Sequence, residues 1–334
     1  MKNKSKEALF YKKLDNKKAQ CILCPKHCVI PSDKAGFCRA RENVEGILYA
    51  VNYGQTASSP SLDPIEKKPL YHFYPGSLIL SLGANSCNFA CKNCQNWSIS
   101  QVEINTIPIS PRELSDLAKR TNSLGVAYTY TEPFTWYEFV LETAGLIRDM
   151  GMKNVLVTNG FVEEEPLKKI LPLIDALNID IKSMNDDFYK KVCAGRLEPV
   201  LKTVELSAKT SHVEITNLVI PGLNDLESDF HKLVDWLSAV AGPDVPLHFS
   251  RYFPNYKMET GSTPVTVLET ARKIAREKLH YVYVGNVPDI SANTTYCPKC
   301  NNELIQRVGY SIKKTGLKEG KCVKCETKTA GIGL

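Results

Sequence analysis

Between residues 77 and 290, short apolar runs alternate with longer amphipathic stretches. The runs are Leu78–Leu82, Val126–Tyr130, Val155–Val157, Ala176–Ile181, Val213–Ile220, Leu247–Tyr252 and Tyr281–Val284. Continuous apolar runs of this length, bounded by polar turns, predict strands buried on both faces, as in parallel sheets. The stretches between them predict helices. One begins at Ser110, with Pro111 at the first helical position and Glu113 three residues on, a capping box. Another begins near Thr263-Pro264 and runs through ETARKIAREKL. The alternation predicts an α/β fold, a partial (β/α)6-type TIM-like barrel with Tyr281–Val284 as a seventh strand.

A second regularity lies just past the C-terminal end of each run. Cys87 comes after LILSLG, Thr131-Glu132-Pro133 after VAYTY, and Thr158-Asn159-Gly160 after VLV. Asp180 and Lys182 close ALNIDIK, and Pro221-Gly222 come after LVI. Parallel barrels build their sites from the C-terminal ends of strands, so five separate segments point to one rim. The core is therefore expected over 77–290. Residues 1–20 read as a basic lead, 21–76 as an N-terminal Cys-rich lobe and 291–334 as a C-terminal zinc-ribbon-like lobe.

Charge and cysteine change the picture at the flanks. The net charge is +6 over 334 residues, with +5 in residues 1–20 and +5 in 297–334, leaving −4 between them. No aromatic-studded basic stripe accompanies this charge, so nucleic acid is not the expected partner. The expected picture is a solvated lead, plus a metal lobe whose thiolates offset nearby lysines. The first residues lack an apolar core, and no run approaches membrane-spanning length. Neither a signal peptide nor a membrane contact is expected, and the expected location is cytoplasmic. In a reducing compartment the twelve cysteines point to metals rather than disulfides.

Cys87, Cys91 and Cys94 form a C-x3-C-x2-C triad on a loop leaving a strand. Three thiolates can hold one face of a [4Fe–4S] cube and leave one iron open, where electron-transfer centres use four. Three ligands of a zinc site are the alternative. Cys297, Cys300, Cys322 and Cys325 make two C-x2-C knuckles, a zinc-ribbon pattern that also suits a single iron. Cys21, Cys24, Cys28 and Cys38 are a looser quartet for zinc or an auxiliary iron–sulfur cluster, with His27 as a competing ligand. Cys193 reads as a packing residue, and the remaining histidines as structural.

The triad CNFACKNCQNW, with YTYTEPF, VTNG, DIDIK, NLVIPGLND and HFSRYFPNYKM, resembles the radical S-adenosylmethionine (radical SAM) core of pyruvate formate-lyase activating enzymes. Adding CILCPKHCVI, GFCRARE, SLDPIEKKPLYHFYPGS, CPKC and CVKC, nearly everything after residue 20 is similar to the radical SAM component of the AmmeMemoRadiSam system. The resemblance implies reductive cleavage of S-adenosyl-L-methionine at the triad's cluster. It also implies hydrogen abstraction by the resulting radical, an external electron donor, and a protein substrate or partner of the same system. Radical modification of a small molecule or RNA is the alternative, and a non-catalytic electron-transfer or metal-scaffold protein is a third reading.

By the same resemblance Glu132 meets the cofactor's ammonium, although a carboxylate before Pro133 also suits a helix entry. Thr158, Asn159 and Gly160 fall near the ribose, or form a plain strand-exit turn. Asp180 and Lys182 share one face of a strand near the cofactor carboxylate, or form a structural ion pair. Pro221 and Gly222 approach the adenine by backbone. The family's usual aromatic residue before the third cysteine is here Asn93, with Phe89 and Trp97 as the nearby aromatics.

Overall fold

A computed structural model describes residues 6–334. Its centre is one eight-stranded sheet. The strands are β1 (Ser61–Pro64), β2 (Leu78–Leu82), β3 (Gly125–Tyr128), β4 (Lys153–Thr158), β5 (Ala176–Asp180), β6 (His212–Val219), β7 (Leu247–Arg251) and β8 (Val282–Gly285). They lie in sequence order; β1 pairs antiparallel with β2, and every later pair is parallel. All seven expected strands are present, Tyr281–Val284 included, with ends shifted by one or two residues.

Helices α1 (Pro111–Arg120), α2 (Tyr137–Asp149), α3 (Glu164–Ile170), α4 (Glu198–Ser207), α5 (Glu227–Ala241) and α6 (Val265–Ala275) fill the connections. The capping box at α1 forms as expected: Glu113 N donates to Ser110 Oγ at 3.2 Å, and Ser110 N donates to Glu113 Oε2 at 2.7 Å. Leu114 and Ala118 of that helix are buried. The main core lies between helices and sheet, built on residues such as Val126, Leu156, Leu177, Ile215, Leu237 and Leu268.

The flanks are more tightly joined to the barrel than the sequence suggests. Residues 6–20 are not a free basic lead. Tyr11–Lys13 pairs antiparallel with Ala19–Cys21, and Leu9 N donates to Glu138 of α2 at 2.8 Å. Residues 1–5 lie outside the described residues. Strand β1, placed by sequence within the Cys-rich lobe, is an edge of the main sheet.

The sheet is open, since β8 does not pair with β1. A polar plug fills its N-terminal end. Buried Glu214 on β6 accepts hydrogen bonds from Tyr71 N (3.0 Å), His72 N (2.7 Å), His212 Nε2 (3.0 Å) and His248 Nε2 (2.7 Å). Burial opposes its charge, but the two histidines hold this carboxyl well below the usual range. A second chain of donors runs from Arg307 Nη1 to Thr295 Oγ1 (2.8 Å), to Tyr283 Oη (2.8 Å), to His72 Nε2 (2.6 Å), and from His72 Nδ1 to Ala330 O (2.5 Å). That order assigns one proton to His72, and burial lowers its pKa to about 4.

A histidine held neutral sets the sign of the pH effect. His72 stays neutral in the fold below its unfolded pKa of about 6.5, so the unfolded chain binds the extra proton. Its contribution is complete above pH 6.5 and is lost as pH falls towards 4, a span worth roughly 3 kcal/mol. Thermal melts from pH 7 to pH 4 should show this decline, and His72→Asn should flatten it. A wild-type melting temperature that stays constant over that range would show that His72 is not held neutral.

Candidate active site

A cavity of ≈ 840 Å³ opens at the C-terminal ends of the parallel strands. After β2 the chain turns at Gly83, where a Cβ would stand 2.2 Å from the Thr129 carbonyl oxygen, so only glycine fits. The loop beyond it places Cys87, Cys91 and Cys94 on the cavity wall. Each sulfur has a polar neighbour. Phe89 N and Asn159 Nδ2 face Cys87 Sγ at 3.4 and 3.8 Å, Ser100 Oγ lies 3.2 Å from Cys94 Sγ, and Cys193 and Cys91 share a hydrogen bond. Burial, then the nearby Glu132 carboxylate, pushes the Cys87 thiol up; burial also raises Cys94, against the Ser100 bond. The Cys193 thiol lowers Cys91.

The loop is held in place by backbone. Ala90 N donates to Cys193 O, and Lys92 N to Val192 O, each at 2.9 Å. Cys193, read from sequence as a packing residue, is fully buried in the core and also supports a triad sulfur. Among the described residues, the triad thiols do not converge within 4.8 Å of one another, as ligands of one ion would. Their spacing and their opening onto the cavity fit a cluster with three protein ligands.

Glu132 is buried at the foot of this loop. It accepts from Phe134 N (3.0 Å), Thr158 Oγ1 (2.8 Å) and Asn159 N (2.8 Å). It therefore caps the short turn Pro133–Trp136 and also ties the end of β3 to the end of β4. Burial raises its pKa to about 7 despite these bonds. Thr158 and Asn159 line the cavity with it. Gly160 does not; it turns the chain at φ +69° and its carbonyl accepts from Thr203 Oγ1 of α4 at 2.7 Å.

Asp180 and Lys182 also line the cavity, as an ion pair of 2.6 Å. Burial opposes the Lys182 charge, but Asp180, Cys91 and Cys193 together raise its pKa. Pro221 and Gly222 do not line the cavity. Gly222 turns at φ +74°, and Gly222 N donates to Asp225 Oδ1 at 2.8 Å. Asn93 and Phe89 are on the wall, whereas Trp97 stacks on Tyr256 outside it, with ring centroids 5.2 Å apart.

Several wall residues had no site role assigned from sequence. Glu66, Tyr71 and His248 form the floor, and Arg307, Val308, Gly309 and Tyr310 of the C-terminal lobe form a side. Asp63, on β1, gathers Lys67 (2.9 Å), Lys68 (2.6 Å) and the hydroxyl of wall residue Tyr130. Burial opposes its charge, but these partners lower its pKa to about 2. The KK of SLDPIEKKPL is the only hint of this cluster in the sequence. Cys297, Cys300, Cys322 and Cys325 do converge, all four sulfurs lying within 4.8 Å of one another.

Known proteins resemble the chain over this same stretch. A family model described as the Radical SAM superfamily matches residues 82–237. The uncharacterized protein MJ0808 of Methanocaldococcus jannaschii is 47% identical over 331 residues, covering 97% of this chain and 98% of its own. The 4-hydroxyphenylacetate decarboxylase activating enzyme of Clostridium scatologenes is 25% identical over 160 residues, 45% of this chain and 50% of that one. Among solved structures, a radical SAM methyltransferase from Sphaerobacter thermophilus matches with a TM-score of 0.50 at 16% identity, covering 66% of this chain and 70% of that one, a likeness of fold alone. No helix among the described residues is long and apolar enough to cross a membrane. The matched segment opens at the last residue of β2 and runs beyond Asp180 and Lys182, so it carries the triad and just over half of the cavity wall, and residues 82–237 form a radical SAM domain.

Proposed function

We propose that this protein is an activating-type radical SAM enzyme acting on a protein partner, as the radical component of an AmmeMemoRadiSam-like system. The observation that carries this reading is the triad itself: three thiols on the loop after the first parallel strand, each with a polar neighbour, open to a cavity that also holds Glu132, Asp180 and Lys182. Cys87, Cys91 and Cys94 would hold a [4Fe–4S] cluster, and Glu132, Thr158, Asn159, Asp180 and Lys182 would surround S-adenosyl-L-methionine. When bound, cluster and cofactor supply a low-potential electron, from an external donor, and a carbon radical that abstracts hydrogen.

The chain's own residues bind, orient and exclude water. Glu132 faces an ammonium group from a site where its charge is expensive unless countered, so a cationic ligand brings its pKa down and binds tightly. Lys182, held by Asp180, offers a fixed cation to a carboxylate. Phe89 keeps the triad loop dry, packing on Phe161 at a ring separation of 5.0 Å. The activating enzymes among the relatives support a protein substrate. One observation favours a small polar substrate instead. The buried Glu66 carboxylate on the cavity floor has one oxygen, Oε2, without a partner.

Anaerobic incubation with cofactor, reductant and deuterated cell extract tests the reading. Formation of 5′-deoxyadenosine with deuterium supports it, and mass spectrometry of protein and low-mass fractions separates the two substrate classes. A fully iron-loaded protein that yields no 5′-deoxyadenosine would refute it. Cys94→Ala should abolish 5′-deoxyadenosine formation, as measured by chromatography of the quenched reaction. Glu132→Gln turns an amide towards three donors. It should lower the melting temperature, with a loss of about 1–3 kcal/mol, and weaken cofactor binding by calorimetry at least 10-fold. The C-terminal quartet should hold one structural metal ion, zinc being the best fit to four converging thiolates. Cys300→Ser with Cys325→Ser should lose that ion by elemental analysis and lower the melting temperature, while the triad's iron stays.

A further inference from the structure

We propose that Cys21, Cys24, Cys28 and Cys38 hold a second [4Fe–4S] cluster, separate from the triad's. The three cysteine groups provide an internal comparison. A tetrahedral zinc with bonds of about 2.3 Å sets its sulfurs about 3.8 Å apart. The C-terminal quartet shows that convergence, with Cys297 and Cys325 sulfurs 3.5 Å apart and those of Cys300 and Cys322 3.6 Å apart. Among the described residues, no three sulfurs of the N-terminal quartet lie within 4.8 Å of one another, and in this the quartet matches the triad. All four cysteines instead surround a small cavity whose wall is mostly apolar, with Leu23, Ile30, Phe37 and Phe134. Thiols set apart around a gap suit a cube, in which each sulfur binds a different iron.

A second observation identifies the occupant as an anion. Arg41 lines the same cavity and is 1% exposed. Its Nη1 donates to Glu138 Oε2 at 2.6 Å, but Nε and Nη2 have no partner. Buried, unpaired donors on a guanidinium are costly, and the sulfurs of an anionic cluster would accept both. His27 is drawn away from ligation, its Nε2 lying 2.8 Å from Glu163 Oε1. The cavity also adjoins the triad. Asn88 forms part of its wall, and its Oδ1 accepts from the Asn159 amide that faces Cys87.

The test counts metal in full-length protein reconstituted anaerobically with ferrous iron and sulfide. Wild type should hold about eight irons, two cubes of four. Cys87→Ala, Cys91→Ala and Cys94→Ala together should leave about four irons and four sulfides with the Mössbauer signature of a [4Fe–4S] cluster. Cys24→Ser with Cys28→Ser should leave about four irons as well, those that respond to S-adenosylmethionine by electron paramagnetic resonance. If the triad-less protein holds no iron, or a second zinc beyond that of the C-terminal quartet, or if the Cys24/Cys28 variant keeps the full wild-type iron, the second cluster is excluded. Failure of the triad reading looks different: all iron would then disappear with Cys24 and Cys28, and none with the triad. Should the triad-less protein not fold, the Cys24/Cys28 variant measured against wild type decides alone.

Discussion

A parallel sheet that curls but does not close leaves a seam, and a barrel with a seam must be filled by something other than its own strands. Here β8 and β1 stay unpaired, and the filling, at the N-terminal end of the strands, is polar. The segment through Tyr71 and His72 enters from one side and Arg307 from the other, with the guanidinium 4.2 Å from the Tyr71 ring centre. Glu214 is the fixed point of this arrangement, because a buried carboxylate is tolerated only where its lone pairs are met, and four donors meet them. The filling makes a floor as well as a plug. Glu66, Tyr71 and His248 face the same cavity that the triad faces from above.

The chemistry sits at the other end of the same strands because parallel pairing leaves no choice. Each strand must be followed by a return helix, so every strand end opens on one rim. Glu132 shows how the rim is made rigid. Its oxygens bind the turn after β3 and the end of β4 at once, so the carboxylate orders its surroundings before any ligand arrives. The triad loop is braced in the same way, by backbone bonds to Val192 and Cys193 and by a polar neighbour at each sulfur.

Much of this was legible in the chain. The seven parallel strands could be read because strands buried on both faces are apolar throughout, and the Ser110 cap because its signals are local. The cysteine groups announced themselves by spacing. What could not be read depends on partners far apart in sequence. Nothing near Arg41 says that Glu138 will receive it, and nothing near Arg307 says that it will enter the barrel from a lobe that looked like a separate staple. Gly160 and Pro221-Gly222 illustrate the opposite case. They carry the right motifs, yet in this structure they turn the chain rather than face the cavity. The basic residues before Cys21 were misjudged because their composition is that of a tail, while their backbone supplies a strand to the cysteine lobe.

The clasp between His72 and Ala330 bears on the order in which the molecule can be made. The bond spans 258 residues, and Tyr74 N also donates to Ile332 O at 2.7 Å. During synthesis the segment around residue 72 emerges early, but its acceptors do not exist until the chain has passed residue 330. Until then the barrel floor holds an imidazole and backbone groups that only water can satisfy. Contacts of such long range slow folding, since the loop between them must be ordered before they reward it. The barrel's helices and strands can assemble as they appear, yet the floor of the chamber is completed only as the last event, a built-in delay between having a fold and having a finished cavity.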